Sequence, residues 1–84
     1  EAAGADVLYA PGLRTPDQVK QVLASLNKPI NVLSPFMPDV SLQQYQALGV
    51  RRISLGVAIA SYAVGASTNV AKEMLESGTF SWMK

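Results

Sequence analysis

The chain has 84 residues, 49% of them hydrophobic and 15% charged, with a formal net charge of +1. That balance describes a packed segment and excludes a disordered one, and the length allows one small domain or a part of a larger one. The basic residues are scattered, with Arg51-Arg52 the one adjacent pair, so neither nucleic acid nor an anionic membrane is expected as a partner.

The opening stretch, Glu1-Ala2-Ala3-Gly4-Ala5-Asp6, reads as the last turn of a helix followed by its glycine stop. A helix present only as its final turn implies a fragment of a longer protein. The first residues carry neither a basic n-region nor an apolar core of the signal-peptide kind. The longest nearly apolar run, 53–66, is shorter than the roughly 20 residues of a membrane span. A cytoplasmic protein without a membrane partner is expected.

Val7-Leu8-Tyr9-Ala10 is the first strand candidate (7–10), closed by Pro11-Gly12. Thr15-Pro16-Asp17-Gln18 then opens a helix over 16–26. Thr15 is the N-cap, Pro16 the first helical residue, Asp17 complements the dipole and Gln18 completes a capping box. Val19, Val22, Leu23 and Leu26 give it one apolar stripe. The second strand (30–33) is the centre of the chain. Pro29-Ile30-Asn31-Val32-Leu33-Ser34-Pro35 is apolar except for one amide, as expected of a strand covered on both faces in a parallel sheet. Phe36 and Met37 follow, flanked by Pro35 and Pro38, which is unusual for a mere connector. Ser41-Leu42-Gln43-Gln44 is a second capping box, opening a helix over 41–48 whose buried side is marked by Leu42, Tyr45 and Leu48 and whose stop is Gly49. Arg52-Ile53-Ser54-Leu55 is the third strand (52–55), ended by Gly56, and 57–77 reads as one long helix stopped by Gly78.

The strand centres recur evenly: from Val7 to Ile30 (30 − 7) and from Ile30 to Ile53 (53 − 30) the interval is 23. Strand, loop, helix and turn therefore repeat, which argues for parallel strands joined by right-handed helical crossovers. Periodicity alone fits both a β/α barrel and an open doubly wound sheet. A full barrel takes about 250 residues, so residues 1–84 are read as an α/β segment: the C-terminal three β/α units of a single (β/α)8 TIM-barrel domain.

Cysteine and histidine are absent, which removes thiolate chemistry together with the commonest general base and metal ligand. Ligands of β/α proteins sit at the C-terminal ends of the strands. Gly12, Asn31, Leu55 and Gly56 fall there. The two glycines would let a ligand approach backbone N–H groups, and Gly56 precedes a helix N-terminus, which favours an anion. Tight-turn formation explains the same glycines. Asn31 is either an amide bonded to a substrate carboxylate or hydroxyl, or an amide satisfied by neighbouring backbone. Asp39 reads as a cap or solvated loop charge, and Asp6 as structural. Arg51 and Arg52 are of the type that clamps an anion, but they precede their strand and are placed at the far rim, where a stabilising role is expected. No pair of carboxylates is spaced to hold a metal, and no residue is singled out as catalytic.

Taken together, Ala3-Gly4-Ala5-Asp6, Tyr9-Ala10-Pro11-Gly12-Leu13, Pro29-Ile30-Asn31-Val32-Leu33, Leu48-Gly49-Val50-Arg51-Arg52-Ile53-Ser54-Leu55-Gly56 and Gly78-Thr79-Phe80 resemble the C-terminal part of the isocitrate lyase/phosphoenolpyruvate mutase superfamily, in the branch of methylisocitrate lyase-like and phosphonomutase-like enzymes. The resemblance spans nearly the whole chain. It implies a β/α-barrel enzyme in which Mg²⁺ orients a small 2-oxo or 2-hydroxy carboxylate, and an enolate forms as a C–C or P–C bond is made or broken. It places Asn31 at the family's substrate-contacting Asn near the end of the seventh strand and Leu55-Gly56 at the end of the eighth, with the acidic metal ligands and catalytic loop on earlier strands. It also implies a homo-oligomer that exchanges a C-terminal helix between subunits. The chain departs from methylisocitrate lyases after Asn31, where Val32-Leu33-Ser34-Pro35-Phe36 replaces a segment containing Glu-Phe-Gly; this argues against that substrate. The fragment alone is expected to be inactive. The alternatives are a phosphate-binding β/α barrel of another family, or a non-catalytic oligomerisation module.

Overall fold

The computed structural model describes residues 1–84. Strands β1 (Leu8–Tyr9), β2 (Ile30–Leu33) and β3 (Arg52–Ser54) alternate with helices α1 (Pro16–Ala24), α2 (Leu42–Leu48) and α3 (Ala58–Lys72). The strands form one sheet in the order β1-β2-β3, and both pairs run parallel. The segment is thus α/β, built of three successive β/α units.

Local chemistry accounts for the boundaries. Pro29 has no N–H to give to a ladder, but its carbonyl accepts from the Leu8 N–H at 2.9 Å, so the sheet starts immediately before β2. β1 is shorter than the sequence suggests: Leu8 and Tyr9 pair with Ile30 and Asn31, while Val7 and Ala10 lie outside the ladder. Both helical starts are closed by reciprocal side-chain bonds. Gln18 N–H donates to Thr15 Oγ1 at 3.2 Å, and Gln44 N–H donates to Ser41 Oγ at 3.2 Å; each glutamine accepts in return from the cap's own N–H. α1 ends at Ala24, short of residue 26, because the Ser25 hydroxyl takes the Val22 carbonyl at 2.8 Å and turns the chain.

Helices α1 and α2 cover one face of the sheet. The core beneath them consists of Val19, Ile30, Val32, Met37, Tyr45 and Val50. Met37 explains the odd loop after β2. Its side chain enters the core, and its carbonyl accepts from the Tyr45 hydroxyl at 3.4 Å. Phe36 stays at the surface with the Arg14 guanidinium 4.8 Å above its ring. Leu42 does not join the core as its spacing suggests; it is 68% exposed. It lines an open cleft of about 380 Å³ between α2 and the start of β3, together with Tyr45, Gln46, Val50 and Ile53.

The long final helix divides. α3 runs to Lys72, a wide π-helical turn follows over Glu73–Ser77, and Gly78 ends it in the left-handed region at φ +64. None of its residues is buried. A compact chain of this length has a radius of gyration of about 12 Å. The observed value is 18.6 Å, with extents of 58 × 26 × 18 Å. α3 therefore projects from the sheet-and-helix body instead of packing back on it.

Candidate functional site

The pleat of β2 sends alternate side chains to opposite faces. Ile30 and Val32 enter the core under α1 and α2, so Asn31 and Leu33 belong to the face that those helices leave free. Register carries the same alternation into β3. Asn31 lies opposite Arg52 and Leu33 opposite Ser54, while Ile53 sits beside Val32 and packs on the core. The helix-free face therefore gathers Tyr9, Asn31, Leu33, Arg52 and Ser54. In a β/α barrel this is the inward face.

Asn31 is 5% exposed and fully occupied in the sense that matters for folding. Its Nδ2 donates to Ser54 Oγ at 2.8 Å, and its Oδ1 accepts from Arg52 Nε at 3.1 Å. The neighbours that satisfy it are side chains of the adjacent strand, not backbone. An amide has two N–H donors and two acceptor lone pairs, so these bonds leave one of each for a ligand.

Arg52 lies at the N-terminal rim of β3, as its place in the sequence suggests, yet it is not remote from Asn31. It is the first residue of β3, but the strand pairing sets it level with Asn31, on the same face and in contact with it. The sequence assigns Arg52 only a stabilising role and does not single out Ser54; their meeting at Asn31 is the structure's addition. The signal was present as a period-two alternation, Arg52-Ile53-Ser54, in which polar residues flank one apolar residue; the register with β2 was needed to see which face they shared. Arg51 is exposed, and both arginines border the cleft between α2 and the start of β3.

Asn31 itself is the second residue of β2, level with the start of β3 and not at the strand's C-terminal end as expected, and the other expected residues separate from it. Gly12 has φ +93 and open space where a Cβ would stand. A turn alone requires glycine there. Gly56 has φ +56, and a Cβ would come 3.3 Å from Leu33 Cδ1, so both conformation and packing ask for its absence. Leu55 is exposed, and its carbonyl accepts from Ala58 N–H at 3.1 Å, which turns β3 into α3. The N-terminus of α3 has no side-chain cap. Asp39 and Asp6 are exposed, and the cap of α2 is Ser41.

No group of three or more Asp, Glu, His or Cys side chains comes together in a way that could hold a metal ion. The polar groups on the inward face are an amide, the hydroxyls of Tyr9 and Ser54 and a guanidinium, and the last repels a cation. The residues of this chain do not fit a Mg²⁺ site by themselves.

Three parallel β/α units whose inward face is polar at its middle define the class: a segment of a β/α barrel. The family model for phosphoenolpyruvate phosphomutase matches residues 1–75. The crystal structure of a candidate lyase/mutase from Burkholderia cenocepacia J2315 superposes with a TM-score of 0.90 at 42% sequence identity, covering 98% of this chain. The chain spans 30% of the length of that protein. No curated protein matches. The chain belongs to the phosphoenolpyruvate phosphomutase family, within the isocitrate lyase/phosphoenolpyruvate mutase superfamily whose motifs it carries.

Proposed function

We propose that the gene product carrying this chain is a lyase or mutase that makes or breaks a C–C or P–C bond next to the carboxylate of a small 2-oxo or 2-hydroxy acid, through an enolate. Family membership supports the class, and the Asn31–Arg52–Ser54 cluster on the inward face is the observation that carries the site. In this reading the free N–H of Asn31 bonds a substrate oxygen, and the Arg52 guanidinium nearby favours an anion. Gly12, Leu55 and Gly56 remain in this reading as further substrate-contacting positions beyond the strand ends, where backbone N–H groups can approach a ligand. Charge that develops on an enolate oxygen is stabilised by donors fixed in advance, because they need no reorganisation as the reaction proceeds. Magnesium, which the family resemblance implies, supplies Lewis-acid stabilisation of that oxygen when bound; residues beyond this chain's own would have to hold it.

Homo-oligomer formation through α3 belongs to the same proposal, as does a cytoplasmic location. No helix is long and apolar enough to cross a membrane. The residues 1–84 alone are proposed to be inactive, since they lack an acidic metal-binding set.

Calorimetric titration of the gene product with oxalate, a mimic of the enolate carboxylate, tests the reading. Heat is expected with Mg²⁺ and much less without it. Absence of heat under both conditions would overturn the proposal, and tight binding of inorganic phosphate without any metal would move the protein to the phosphate-binding class.

A further inference from the structure

The carboxamide of Asn31 can be turned over by rotation about its last side-chain bond, which exchanges its donor and acceptor ends at little steric cost. Two neighbours hold it. Arg52 Nε sits level with it, 3.1 Å from Oδ1, and Ser54 Oγ lies two residues further along β3, 2.8 Å from Nδ2. Two residues of strand are about 6.5 Å, so the oxygen end is held at the start of β3 and the nitrogen end faces the C-terminal ends of the strands. The neighbours are not equivalent. A serine hydroxyl donates or accepts and would tolerate either orientation, whereas a guanidinium only donates. Arg52 alone dictates which way the amide points.

We propose that Arg52 is a positioning residue that locks the Asn31 amide with its N–H toward the strand C-termini, so that this position selects an acceptor oxygen, such as that of a carboxylate, over a donor group. The inference rests on Asn31 being a ligand contact, as proposed above. If Arg52 were lost, the amide could turn over, with the Ser54 hydroxyl donating to Oδ1. A ligand carboxylate would then meet a second acceptor in place of a donor. The exposed remainder of the guanidinium is a separate, electrostatic contribution, and the experiment has to divide the two.

Two uncharged variants of matched length do so. Gln places its Nε2 donor where the Nε of arginine stands, while Met fills the same volume with no donor. The gene product is compared as wild type, Arg52→Gln, Arg52→Met and Asn31→Ala, with oxalate as the calorimetric probe in the presence of Mg²⁺. Loss of one correctly aimed hydrogen bond predicts that Arg52→Met binds oxalate about tenfold more weakly than Arg52→Gln, although neither carries the charge. In the ligand-free protein, the Asn31 side-chain amide protons should show magnetisation transfer to Ser54 in wild type and Arg52→Gln and lose that single pattern in Arg52→Met. Equal affinities and equal amide spectra in the two uncharged variants would overturn the positioning role. If Asn31→Ala binds oxalate as wild type does, the ligand role of Asn31 fails, and the amide spectra still decide whether Arg52 holds it. Should Arg52→Met not fold, the wild-type spectrum decides: side-chain amide protons close to Arg52 and not to Ser54 would exclude the orientation.

Discussion

Glu73 is a single carboxylate that ties the end of the chain to its last helix. It accepts from the Ser81 hydroxyl at 2.8 Å, the Ser81 N–H at 2.6 Å and the Thr79 hydroxyl at 2.9 Å. The Ser81 bonds first, and then that from Thr79, hold its pKa below the ordinary 4.5. A carboxyl whose pKa is depressed on folding stabilises the contact above its ordinary value, and the contribution is lost as pH falls through the lowered one. The tail over 79–81 should therefore stay docked at neutral pH and release only below about pH 4.5. The Ser81 amide resonance of the gene product reports this directly. It should titrate in that acid window, and Glu73→Ala should show the released position already at pH 7. A wild-type resonance that titrates above the ordinary carboxylate range would contradict the assignment. Nothing in the sequence announced this contact, since Thr79 and Ser81 lie six and eight residues from Glu73. Asn31 was the opposite case. A lone amide in an apolar strand is conspicuous, but its partners, Arg52 and Ser54, lie more than 20 residues away in sequence and emerge only from strand register.

Among the elements, those with strong local chemistry were the most legible. Both capping boxes form as their residue types require, and the regular interval of apolar centres located each strand. The pairing itself departs from that interval: Leu8 meets Ile30 (30 − 8 = 22) and Asn31 meets Arg52 (52 − 31 = 21). An apolar repeat marks where a strand passes, whereas register depends on the hydrogen bonds between strands. Gly49 gives a measurable consequence of the local rules. It ends α2 in the left-handed region at φ +95, and an added Cβ would be only 3.7 Å from Leu23 Cδ1, an ordinary contact. Sterics within the residue are thus the whole penalty. Gly49→Ala should destabilise by about 1 kcal/mol, and Gly49→Asn by less, as read by denaturant unfolding of the gene product. Equal stability of Gly49→Ala and wild type would mean that the chain leaves α2 by another route. The break between α3 and its π-helical turn had no such local marker, because the run 66–77 contains neither glycine nor proline.

At the scale of the molecule, the body and the final helix obey different economies of burial. Under α1 and α2 the apolar residues are covered, while Ile59, Tyr62 and Val64 on α3 are 69%, 82% and 66% exposed. Trp82 and Met83 lie open beyond the π-helical turn. Apolar surface of this density marks a contact surface more often than bare solvent. The same chain has an open cleft beside α2, with Leu42, Tyr45, Val50 and Ile53 as its apolar wall and Gln46 and the two arginines at its rim, and α3 projects away from it. A helix without a seat and a seat without a helix, in one chain, suit reciprocal exchange between identical copies, because each copy then supplies what the other lacks. The gene product should accordingly be a homo-oligomer, with a light-scattering mass at a multiple of the chain mass at micromolar concentration. Placing charge at the centre of the helix face, as in Ile59→Lys with Tyr62→Glu, should lower that mass toward one chain and preserve the circular-dichroism spectrum of the body. Leu42→Glu, on the cleft side, should do the same. Association unaffected by either set of substitutions would place the interface elsewhere. A wild-type protein that is monomeric at these concentrations would leave α3 covered by another part of its own chain.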